Sequence, residues 1–160
     1  MVRAEIYRKR GAQVGMSVLE TLFVLGILIM LGATLAPLLT RTYSSARSSN
    51  AADEIASLLG EARSRSRGNF QDTSHGVYIN TAASPVSLTL YQGANYTVRN
   101  TSKDQITTLQ NGTTVSLSPF TADIHFAGSV GTTSPVQLTV NADGNEQILI
   151  LTDGGFIYEE

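Results

Sequence analysis

Few residues in this chain are placed to do chemistry, and the most informative is a carboxylate in an apolar setting. Glu20 is the only ionisable side chain between Gly15 and Thr40, in GMSVLETLFVLGILIMLGATLAPLLT. A carboxylate at membrane depth costs at least about 2.5 kcal/mol on insertion scales, so it needs a partner. Its natural chemistry there is ion pairing. Elsewhere the candidates for catalysis are poor. His75 and His125 lie far apart and belong to no metal-ligand motif; a loop position and a strand position account for them. G-x-S-x-G, Walker, H-E-x-x-H and paired-carboxylate patterns are absent. Serine and threonine are plentiful, but a hydroxyl without a nearby base is not a nucleophile. Asp143-Gly-Asn-Glu146, with Asp153, reads either as an acidic loop for calcium or as a plain hairpin turn; the EF-hand ligand series is missing. The sequons at Asn95, Asn100 and Asn111 carry no implication by themselves. No catalytic residue, cofactor or metal site is expected.

The element that must position Glu20 is a long apolar helix. From Met16 onward the run is long enough to cross a bilayer, which takes about 20 helical residues. Residues 1–15 carry Arg3, Arg8, Lys9 and Arg10 against Glu5, a net +3. The positive-inside rule keeps that end cytoplasmic and sends everything after Thr40 outward. A secretory signal would be cut after the apolar run, at a small-x-small site whose nearest example ends at Ala36, directly before Pro37. A plain signal anchor explains the hydrophobicity but not a glutamate inside the span. Glu20 could also simply snorkel to the headgroups.

The string Gly15-Met16-Ser17-Val18-Leu19-Glu20, basic before and apolar after, resembles the class III signal of type IV pilins and type II secretion pseudopilins. The resemblance implies that a membrane prepilin peptidase cuts between Gly15 and Met16 and methylates the new amine of Met16. Phenylalanine is the commoner first residue in those families, and methionine is an accepted variant. Pro37 matches the helix-breaking proline of pilin stalks. In a filament, the Glu20 carboxylate could then reach the Met16 amine of the adjoining subunit, each charge offsetting the desolvation of the other. Gly15 would let the backbone lie close to the protease.

Beyond Pro37 the chain turns polar but keeps helical spacing. Ala51, Ala52, Ile55, Leu58, Leu59 and Ala62 recur at three- and four-residue intervals and form one stripe suited to pack under a sheet. Ser49 or Asn50 could cap a helix interrupted there, Pro37 could kink or locally unwind it, and Gly68 is the expected stop. Arg63, Arg65 and Arg67 read as a solvated helix end, with a phosphate or lipid-headgroup contact as the alternative. From Gly76 the period becomes two. Val77 and Ile79, Val86-Leu88-Leu90, Tyr96-Val98, Val115-Leu117, Ile124-Phe126, Val136-Leu138-Val140 and Ile148-Ile150 predict seven to nine short, mainly antiparallel strands in one or two sheets. Asn111-Gly112, Asp143-Gly144 and Asp153-Gly154 are the turn signals. Pro85, Pro119 and Pro135 fall at run ends, where a missing donor is tolerated.

The expected organisation is α+β: a leader over 1–15, a transmembrane and assembly helix over 16–40, an amphipathic stalk over 41–68 and an extracytoplasmic β-rich domain over 69–160. Two patterns, LLGEARSRSRGNF followed by GVYI, and DIHFAGSVGTTSPVQLTV with EQILILTDGGFIYEE, are similar to the H-type minor pseudopilins and related pilus minor pilins. The resemblance implies a structural subunit, not an enzyme. It would lie in the bacterial cytoplasmic membrane and then enter a pilus or pseudopilus. Its partners would be the prepilin peptidase, homologous pilin or pseudopilin subunits, an inner-membrane assembly platform and membrane lipid. A major pilin is an alternative, as is a competence-type minor pilin that binds DNA. Against DNA stands the charge from Asn69 onward, where Arg99 and Lys103 face eight acids, a net −6. Zero cysteines exclude a disulfide framework and thiolate metal sites.

Overall fold

The structure, a computed structural model, describes residues 17–160, with side chains except those of 36–41 and 72. The basic segment, Gly15 and Met16 lie outside the described residues. The architecture is α+β, with an apolar N-terminal helix and two antiparallel sheets. Two compact units divide the chain at Leu39 and Thr40. Helix α1, Val18–Arg67, contributes residues to both.

In the first unit α1 is apolar, and the stretch Val18–Leu35 is long and apolar enough to cross a membrane. Helical backbone continues through residue 37, and neither Ser49 nor Asn50 interrupts it.

In the second unit the expected stripe is buried except for Leu58, which is half-buried: Ile55, Leu59 and Ala62 have no solvent exposure, and Ala51 and Ala52 almost none. Serines extend it in both directions, because Ser44, Ser48 and Ser66 are buried on the same line. Each short hydroxyl lets the backbones approach and has a bond to make there. Ser66 Oγ accepts from the His75 N–H at 2.8 Å, and Asn145 Nδ2 donates to Ser44 Oγ at 2.6 Å. The helix ends at Arg67, directly before Gly68, as the glycine suggests. Gly68 N–H still donates to Ser64 C=O, and Asn69 takes the left-handed conformation, φ 49°, which asparagine tolerates better than most residues.

Eight strands follow, in two four-stranded sheets. Strands β1 (His75–Asn80), β2 (Ser87–Gln92), β3 (Gln105–Thr108) and β5 (Asp123–Phe126) lie in the order β3-β2-β1-β5. Strands β4 (Thr113–Ser118), β6 (Val136–Ala142), β7 (Asn145–Leu151) and β8 (Ile157–Glu159) lie in the order β4-β6-β7-β8. In the first sheet Val77 pairs with Leu90 and with Ile124, and Ile79 with Leu88, putting one apolar face into the core. In the second, Leu138 pairs with Leu117 and Leu149, and Val136 with Leu151. The helix stripe and both inner faces make one contiguous core.

Three details differ from the sequence reading. In β7 the core-facing residues are Leu149 and Leu151, and Ile148 and Ile150 point the other way. Tyr96-Val98 is not a strand but part of a loop in which Asn95 Oδ1 accepts from the N–H groups of Thr97 and Val98. Asn111-Gly112 is a turn as expected, and it joins β3 to β4 in the other sheet. His75 opens a strand and does not sit in a loop. Asp143-Gly144 does close a hairpin: both residues have positive φ, 52° and 86°, between the paired Ala142 and Asn145, as a type I′ turn requires.

Candidate functional site

The expected site residues fall on the N-terminal unit. Ser17 precedes α1, and its Oγ accepts a hydrogen bond from the Glu20 N–H at 3.2 Å. This is the first half of an N-terminal capping box, in which a serine cap is followed three residues later by glutamate. Glu20 occupies the first turn, where a negative charge complements the positive helix end. It makes no ion pair among the described residues. Thr21 and Thr34 donate their hydroxyls to carbonyls of the preceding turn, at 3.0 Å to Ser17 O and 2.9 Å to Leu31 O, so neither leaves a polar group bare on an apolar helix. The side chains around Glu20 are exposed: Leu19 is 78% and Phe23 69% accessible. Chemically, this end offers a single carboxylate on an apolar surface, held by a structured helix start. Gly15 and Met16 lie outside the described residues, and so does the side chain of Pro37. The role of Ser17 as a cap was missed by the sequence reading, although the S-x-x-E spacing signals it.

No family model, curated protein or solved structure matches this chain.

In the β-rich unit the charged residues of the helix are engaged as fasteners. Arg47 Nη1 contacts Asp143 Oδ2 at 2.7 Å, and Nη2 donates to Asn111 C=O. One carboxylate of the acidic turn is therefore already held by a cation, while Glu146 accepts from Asn141 at 3.2 Å. Among the described residues no group of three or more His, Cys, Asp or Glu side chains is arranged to hold a metal ion.

Arg63 is not the solvated end of the helix that its sequence context suggests. Its Nη2 donates to Gly154 C=O at 2.9 Å, and its guanidinium lies 4.2 Å from the centre of the Phe156 ring. The AGSVG and DGGF segments converge there. A Cβ on Gly155, whose φ is +71°, would lie 2.6 Å from Gly131 O and 2.8 Å from Arg63 Nε. Arg65 pairs with Glu61 along the helix at 2.5 Å.

The outer face of the first sheet carries an aromatic cluster. Tyr91 lies across Gly76, where a Cβ would meet its hydroxyl at 2.3 Å. That hydroxyl donates to Asp123 Oδ1, and Asp123 Oδ2 accepts the Tyr96 N–H at 2.9 Å. Burial first, and then the hydrogen bond and charge of Asp123, push the Tyr91 phenol far above its ordinary value, so it stays a neutral donor. Tyr96 stacks on Tyr78 at 3.8 Å, and the Arg99 guanidinium lies 3.7 Å from the Tyr96 ring centre while its Nε contacts Asp104 at 2.8 Å. These contacts bind the 93–104 segment to the sheet. They hold the loop in place and offer no nucleophile.

Proposed function

We propose that this chain is a pilin-like structural subunit, a minor component of a type II secretion pseudopilus or type IV pilus and most like the H-type pseudopilins. In this reading a prepilin peptidase removes residues 1–15, and Met16 becomes the methylated first residue. The apolar helix holds the protein in the cytoplasmic membrane until the assembly platform passes it into a filament. There Glu20 meets the Met16 amine of an adjoining copy or homologue, and the β-rich unit faces outward. The observation that carries the reading is the helix start. Regular helix begins at Val18, directly after the expected cut, and the span Val18–Leu35 contains one acid, Glu20, in its first turn. An anchor alone has no need of that acid, whereas a head-to-neighbour ion pair does.

The test is Glu20→Ala in a host that assembles the filament. The variant is expected to be processed like the natural chain, to stay in the membrane, and to be absent from sheared or affinity-purified filaments. Assembly at the natural level would refute the pairing.

A further inference from the structure

A cavity of about 330 Å³ opens beside the C-terminal end of α1, where β1 and β3 begin and β2 ends. Its charged lining is entirely cationic among the described side chains: Arg65 and Lys103, with the amides of Gln71, Gln92 and Gln105. Lys103 is one of only two cations from Asn69 onward, a stretch that carries a net −6. Lys103 makes no ion pair among the described residues. His75, only 2% exposed, also lines the cavity, and its Nδ1 is buried without a hydrogen-bond partner. A buried polar atom left unpaired is costly, and a ligand in the cavity that bonded it would relieve that cost.

We propose that this cavity binds a carboxylate, donated by a small organic acid or by an acidic side chain of another protein. Arg65 and Lys103 hold the oxygens with charge-assisted bonds, the glutamine amides complete the donor set, and His75 contributes a further ring nitrogen. The local charge sets the ligand class. Glu61 already offsets Arg65 at 2.5 Å, leaving one uncompensated cation, Lys103, which a monoanion balances and a phosphate dianion would over-fill. The helix end, the β1 start and the β2–β3 connection each supply part of the lining, so the site forms with the fold.

The chain has two histidines, which makes the imidazole signals a direct reporter. In the detergent-solubilised full chain, His75 and His125 are followed by NMR while acetate is added at constant ionic strength against chloride. A parallel titration uses the blocked peptide acetyl-Gly-Glu-Gly-amide. The expected result is a saturable shift of His75 alone, weakened about tenfold in Lys103→Gln. Saturation by acetate but not the peptide identifies a free small acid; saturation by both identifies a protein side chain as an acceptable donor. The proposal is overturned if His75 responds no more to acetate or peptide than to chloride. It is also overturned if both histidines move together, if Lys103→Gln binds as well as the natural chain, or if inorganic phosphate binds more tightly than acetate.

Discussion

Single residues carry sharply different amounts of information in this protein. Glu20 is conspicuous in the sequence because its charge is expensive where it stands, whereas Ser17, which caps the same helix at 3.2 Å, signals its role only through the S-x-x-E spacing. Gly76 was equally silent. Its reason is a neighbour in another strand, since the Tyr91 ring occupies the space a side chain would need. Gly76→Ala should therefore displace Tyr91 from Asp123 and destabilise the β-rich unit by about 1–3 kcal/mol, the usual cost of overpacking, read as a lower midpoint in chemical denaturation.

His75 makes a second residue-scale prediction. Burial first, and then the nearby Arg65, hold its imidazole below the ordinary value of 6.5, with the Thr73 backbone partly opposing. The unfolded chain thus takes up a proton at a higher pH than the folded one. Stability should fall as the pH drops through about 6.5 and continue falling until the folded-state value is passed. His75→Gln should flatten that slope in denaturation midpoints measured across the range; an unchanged slope would assign it to other groups.

At the scale of elements, legibility followed periodicity. The helix stripe through Ile55, Leu59 and Ala62 was readable because apolar residues at three- and four-residue spacing leave one solution. Its serine extensions were not, since Ser66 and Ser44 meet distant partners, His75 and Asn145, that spacing does not reveal. Leu59 has no solvent exposure, and Leu59→Ala should cost about 2–5 kcal/mol; a loss below 1 kcal/mol in equilibrium unfolding would contradict the shared core.

Strand phase failed in β7 for a physical reason. The run Ile148-Leu149-Ile150-Leu151 is apolar at every position, so alternation cannot choose a face, and pairing with Val136 and Leu138 decides it. Turn chemistry has the same limit. Asp143-Gly144 and Asn111-Gly112 look alike as dipeptides, yet only the first joins paired neighbours. Tyr96-Val98 mimics a strand because its aromatic ring, half-buried, is held by stacking on Tyr78, not by a ladder.

At the scale of the whole molecule, the two units place opposite demands on their surroundings. Residues Thr40–Glu160 bury a common core drawn from the helix stripe and both sheets. The span Val18–Leu35 buries none of its surface within the chain. An apolar surface of that extent exceeds what soluble monomers normally expose and calls for lipid or other helices. The pilin-like account supplies both in turn, first a bilayer and then a filament. Its central claim, that processing creates the amine Glu20 is kept to meet, is tested most directly by mass spectrometry of the N-terminus of the chain extracted from its native membrane. The account predicts a chain that begins at Met16 with a methylated amine. A chain that begins at Met1, or at a residue beyond Ala36, would contradict it.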